Sequence, residues 1–175
     1  MWYIILFFST LLIDQISKII CDANQVNISV IEGLLSIRID YNPGASFSLL
    51  ADVPWAQPFF IILTTIVLII GVGFVVIVKP KHKWLNSALA LMFSGTIGNF
   101  IDRLAFGKVR DFIDMTDMSA IKDGFEFANF NVADICLCIG AFMLIFYVLF
   151  LDSDPVFKLP SKKKQESEVN NDTNG

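Results

Sequence analysis

Two aspartates stand where carboxylates are costly. Asp111 lies in Val109-Arg110-Asp111-Phe112-Ile113-Asp114, and Asp134 lies in Phe130-Asn131-Val132-Ala133-Asp134. Each borders a long apolar run, and the two flank one connecting segment. Neighbouring carboxylates do not both ionise easily, so one of them keeps a proton. Such a pair offers a general base to activate water and a general acid for a leaving amine. Asp134 also reads as an N-cap or a dipole partner at the start of a helix. Asp114, Asp117 and Asp123 read as solvated loop charges.

Three further groups could serve such a pair. Asp14 and Lys18 are four apart, acid before base, which places them on one helical face. They read either as a structural ion pair or as a contact for substrate or lipid head groups. Gly98-Asn99-Phe100-Ile101-Asp102-Arg103 puts Asn99 and Arg103 on one face and Asn99 and Asp102 on another. These residues could cap a helix at the interface, or orient a carboxylate and bind an anion through Arg103. Asn42-Pro43-Gly44-Ala45-Ser46-Phe47-Ser48 reads as a turn, ordinary or open to an extended peptide at Gly44.

Other chemistries lack their parts. His82 is the single histidine, so no HExxH zinc site can form and a histidine triad has no member near the acids. No metal and no cofactor are expected. Cys21, Cys136 and Cys138 are odd in number, and two lie inside an apolar run, which is no disulfide framework. The net charge of −4 comes without a basic stripe, so no nucleic-acid partner is expected.

The elements that must hold these residues are membrane helices. The 175 residues are 55% hydrophobic and 17% charged, where a soluble domain carries about a quarter charged. Spanning the hydrocarbon takes roughly 20 apolar residues. Four segments meet or approach that length: Trp2 to Cys21, Phe59 to Val78, Trp84 to Ile101 and Ile135 to Leu151. The first has no basic n-region and no A-x-A cleavage site, so it reads as a retained helix rather than a signal peptide. The basic turn Lys79-Pro80-Lys81-His82-Lys83 and the cluster at Lys158 and Lys162–Lys164 place both termini in the cytoplasm. Connections 22–56 and 105–132 then face outward. In the first, Val26, Ile28, Val30 and then Leu35, Ile37, Ile39, Tyr41 alternate with polar residues, the pattern of short strands. The fold class expected is an all-α membrane protein of four transmembrane helices with a small β element from the first outer loop. Residues 1–151 form the membrane domain, and the polar 152–175 tail reads as disordered.

In order and spacing these blocks resemble the lipoprotein signal peptidases, or signal peptidase II. Asp14 and Lys18 match the family's first block. Asn42-Pro43-Gly44-Ala45-Ser46-Phe47-Ser48 resembles its N-x-G-A-A-F-S, with Ser46 where Ala is usual. Gly98-Asn99-Phe100-Ile101-Asp102-Arg103, Gly107 and Val109-Arg110-Asp111-Phe112 resemble its G-N-x-x-D-R…G-x-V-x-D-F. Phe130-Asn131-Val132-Ala133-Asp134 resembles its F-N-x-A-D. The resemblance implies a bacterial inner-membrane aspartic endopeptidase. It would act on diacylglyceryl-prolipoprotein and cleave before the lipidated cysteine. It implies Asp111 and Asp134 as the catalytic pair. Asn99, Asp102, Arg103, Asn131, Asn42, Gly44, Asp14 and Lys18 would bind substrate or support the site. It also implies sensitivity to globomycin-type cyclic peptides, an outer β-cradle and a flanking helix in the second outer loop. Membrane lipids are the expected surroundings and a monomer the expected state.

Two rival readings use the same residues. Asp14, Lys18, Asp102 and Asp134 could form the relay of a proton-coupled transporter, although they gather at one interface and no repeat accompanies them. A serine–lysine peptidase could use Ser48 or Ser94 with Lys18.

Overall fold

The computed structural model describes residues 2–44, 53, 55–115 and 129–151. Four long helices and three strands follow in the order α1 (Trp2–Ala23), β1 (Asn27–Ile31), β2 (Leu35–Asn42), α2 (Ala56–Val78), α3 (Lys83–Phe106), β3 (Val109–Asp114) and α4 (Val132–Phe146). A π-helical turn, Tyr147–Leu151, continues α4. Helices α1, α2 and the α4 extension are long and apolar enough to cross a membrane.

The third helix falls outside that group for a physical reason. It carries Ser87, Ser94, Gly95, Gly98, Asn99 and Asp102 among its buried residues, because protein rather than lipid surrounds it. Between helices in lipid there is little hydrophobic drive, so small residues that admit close backbones dominate such contacts. A Cβ added at Gly95 would meet the Ala133 carbonyl oxygen at 2.3 Å, and one at Gly98 would meet Asp14 Oδ2 at 2.6 Å. Helices α1 and α4 thus close directly onto α3. Helix α2 is the opposite case. Its buried residues are Ala56 and Phe60, both in its first turns, and most of its length faces outward.

The helix limits shift the expected site. Helix α3 runs on to Phe106, past the expected end at Ile101, so Asn99, Asp102 and Arg103 occupy its last two turns rather than a cap. Gly107 ends it in the left-handed region, φ 67°, with its N–H on the Arg103 carbonyl. The chain then reverses at once into β3.

The strands form one antiparallel sheet in the order β1-β2-β3. The alternation at 26–41 does mark β1 and β2. The expectation of a β element from the first loop alone is corrected, because β3 from the second loop completes the sheet and carries Asp111. Its run Val109–Asp114 is almost wholly buried, and that hides the alternation by which half-buried strands are found. Asp40 stands opposite Asp111 and Asn42 opposite Val109, with a register shift between Ile37 and Asp40. Asp114 is also corrected. It is buried and pairs with Arg38 at 2.6 Å instead of standing in solvent. Asp117, Asp123, Ser46, Ser48, the flanking helix expected in the second outer loop and the 152–175 tail lie outside the described residues.

Candidate active site

Strand β3 and the start of α4 bring Asp111 and Asp134 to one cavity of about 680 Å³. Asn42, Asn99 and Arg103 share its polar end. Apolar side chains of α2 and α4, among them Leu63, Val67, Leu137 and Ile139, wall the rest.

Asn131 joins the two acids. Its side-chain amide donates to Asp111 Oδ1 at 2.7 Å, and its backbone N–H donates to Asp134 Oδ2 at 3.1 Å. The Asn131 side-chain Oδ1 in turn accepts the Asp134 N–H at 3.0 Å. These reciprocal bonds are a capping box, with Asn131 at the N-cap of α4 and Asp134 three residues on. The N-cap is thus Asn131 and not Asp134, which sits in the first turn as a dipole partner and also lines the cavity. Asn42 holds the other oxygen of Asp111. Its Nδ2 donates to Asp111 Oδ2 at 3.1 Å while its Oδ1 takes the Gly44 N–H at 2.9 Å. Asn99 Nδ2 donates to Asp134 Oδ1 at 2.8 Å.

Asp111 is 2% exposed, and Asp134 is half-buried. Burial, and then the charge of Asp134, push the Asp111 carboxyl up to about 7, against the opposing pull of the Asn42 and Asn131 hydrogen bonds and the Lys18 charge. Among the described residues, no cation stands within ion-pair distance of either acid. Arg103 is the nearest approach to one. Its guanidinium lies over the Phe60 ring at 5.3 Å and reaches the Gly44 carbonyl at 3.4 Å, and its Nε is buried without a hydrogen-bond partner among the described residues.

Behind the cavity lies a different kind of cluster. Lys18 is 0% exposed and contacts Asp14 at 2.9 Å and Asp102 at 3.6 Å. Arg110 clasps Asp102 with both ends of its guanidinium, at 2.7 and 3.2 Å, and adds its backbone N–H at 2.9 Å. Asp14 takes the Ala133 N–H at 2.8 Å. Asp14 and Lys18 are therefore enclosed between helices, in the geometry of the structural ion pair. Ser94 is engaged with Thr10 and the Leu91 carbonyl, and Lys18 with Asp14 and Asn99, which leaves that serine–lysine pairing without support. The ionisable groups occupy the sheet end of the helices instead of a path through them, against the transporter relay. Arg110 is the residue that the sequence reading passed over. Its signal was the spacing, since a Gly turn between Asp102 and Arg110 lets the two face each other.

A family model described as signal peptidase (SPase) II matches residues 6–150. A lipoprotein signal peptidase of Geobacter sulfurreducens is 39% identical over 139 residues, 77% of this chain and 83% of that protein. One of Staphylococcus haemolyticus is 37% identical over 143 residues, 79% and 85% of the two. A solved bacterial membrane enzyme, determined in meso at 2.3 Å, superposes with a TM-score of 0.72 at 31% identity, covering 91% of this chain and 94% of its own. The chain belongs to the signal peptidase II family. As a signal peptidase II it is a membrane peptidase that removes signal peptides from prolipoproteins. The resemblance drawn from the four sequence blocks is thereby established, while the part each residue plays rests on the geometry.

Proposed function

We propose that this signal peptidase II is an aspartic-type endopeptidase whose working pair is Asp111 and Asp134. It cleaves diacylglyceryl-modified prolipoprotein before the lipidated cysteine. The observation that carries this reading is the meeting of two carboxylates from separate elements in one cavity, tied through Asn131, with amide donors and, among the described residues, no cation as partners.

The buried Asp111 holds the shared proton at neutral pH, and Asp134 is the base. Asp134 takes a proton from water, and the water oxygen attacks the scissile carbonyl. Asp111 polarises that carbonyl and afterwards protonates the departing amine. The guanidinium of Arg103, in the cavity lining, stabilises the developing oxyanion, where a fixed charge is worth more than it is in water. Asn42, Asn99 and Asn131 hold the carboxylates at fixed angles. The apolar wall of α2 and α4 takes the apolar part of the substrate, so that the bond is presented at the polar end.

The same reading makes α3 a fourth span and residues 1–151 the catalytic unit, in the inner membrane with both termini cytoplasmic and the sheet outside. The enzyme works as a monomer without cofactor. The test is cleavage of a diacylglyceryl-prolipoprotein by purified protein in lipid. Asp111→Asn and Asp134→Asn should each lose roughly 10²- to 10⁴-fold in kcat, the range of general acid–base catalysis. Full activity in either variant removes that aspartate from the chemistry.

A further inference from the structure

A carboxamide has one accepting end and one donating end, and exchanging them costs nothing in shape. Asn99 serves Asp134 only with its NH₂ turned toward that carboxylate, as it is, at 2.8 Å. The reverse orientation would set oxygen against oxygen. What selects between the two lies on the far side of the amide. Asn99 Oδ1 receives Lys18 Nζ at 2.9 Å and Asn131 Nδ2 at 3.1 Å. Turned over, the Asn99 NH₂ would face an ammonium and another NH₂, donors against donors.

We propose that Lys18 is a positioning residue for peptide hydrolysis, fixing the Asn99 amide so that it donates to Asp134. This rests on the aspartic reading above and deepens it. The placement of Lys18 supports the role. A buried ion pair is weak as a source of stability, and apolar replacements often do as well. Lys18 is nevertheless fully enclosed, and one of its donors points at a residue of the cavity wall. Its partner Asp14 grips the same target from the other side, because the Ala133 N–H that it accepts precedes Asp134 in the first turn of α4. One turn of α1 thus holds both the amide facing Asp134 and the backbone beside it.

The test is a double-mutant cycle on the full chain in lipid nanodiscs, with kcat, KM and Tm read for every variant on a diacylglyceryl-modified peptide. Lys18→Met and Asn99→Leu are made singly and together. The set is repeated in an Asp14→Asn background, so that no orphaned carboxylate unfolds the protein. Each single change should lower kcat by roughly ten- to a hundredfold, the worth of a hydrogen bond to a charged group, with KM unchanged. The double variant should be no slower than Asn99→Leu alone, since Lys18 acts through Asn99. Lys18→Gln keeps an N–H donor without the charge and should recover part of the loss.

Additive losses overturn the proposal. So does a kcat that stays at the background value in Lys18→Met, or a loss that merely follows Tm. Failure to fold in both backgrounds would assign Lys18 to the fold alone. Asp134→Asn is run alongside. If it is active, the aspartic reading fails and this role with it. If it is inactive while the cycle is additive, only the role of Lys18 fails.

Discussion

Two groups of acids lie side by side in this protein and are treated in opposite ways. Asp14 and Asp102 each have a cation within 2.7 to 2.9 Å, and Asp102 is clasped by both ends of one guanidinium. Asp111 and Asp134 are met by carboxamides and a backbone N–H instead. An acid bound to a cation is committed to that partner and serves to hold elements together. An acid held by amides keeps its orientation and remains able to titrate. The difference separates acids that build the site from acids that can work in it, more sharply than burial does, since three of the four are almost fully enclosed.

The largest effect should be the dissociation of activity from stability at Asp111. Asp111→Asn should lose cleavage as stated above while Tm in lipid holds or rises, because a buried carboxylate is replaced by a neutral isostere. A large fall in Tm would show that Asp111 belongs with the structural acids. Asp102→Asn should do the reverse. It leaves Arg110 and Lys18 short of a partner and should cost about 3–5 kcal/mol of stability, measured by thermal or denaturant unfolding. If Asp102→Asn is as stable as the parent, the ion cluster is not what holds these helices together.

A smaller effect is expected where the two groups touch. Gly98→Val drives a side chain toward Asp14 Oδ2, which a bare Cβ already meets at 2.6 Å. Overpacking of this kind should cost about 1–3 kcal/mol. An unchanged Tm would mean that α1 and α3 can part without loss. The smallest effect is on pH. The Asp111 carboxyl is raised to about 7 in the fold, well above its unfolded value, so the native state binds the extra proton between them. Stability therefore falls as pH rises from about 4 through about 7 and levels off above. The Asp111→Asn variant should lose that slope. Cleavage should decline over the same upper range as the acid loses its proton, with apparent values that belong to the coupled pair. A rate that climbs through pH 8 would reverse the assignment of acid and base.

Much of this was legible in the residues, and the misses have specific causes. The apolar runs marked α1, α2 and α4 to within a few residues, and the alternation at 26–41 marked two strands. Strand β3 was hidden because both of its faces are covered, so nothing in its sequence alternates. Helix α3 outran its expected end because Asp102 and Arg103 look like a boundary, when protein partners allow them to sit inside a helix. The acids themselves were found by their cost in an apolar setting. Which acids would be paired was not readable. That depends on Arg110 folding back across the Gly107 turn and on Lys18 reaching α3, contacts between residues 8 and 84 positions apart in the chain.

The neighbours Arg110 and Asp111 show how little separates the two treatments. Successive residues of a strand point to opposite sides, so β3 sends Arg110 back to Asp102 and Asp111 out to the cavity. The assignment is one of parity. An insertion of a single residue between Gly107 and Val109 would bring Arg110 to the place of Asp111 at the cavity, and a deletion of one would bring Asp111 to the place of Arg110, against Asp102. The turn between α3 and β3 is therefore held in two ways: in composition at Gly107, by its left-handed backbone, and in length, by the parity of the strand that follows.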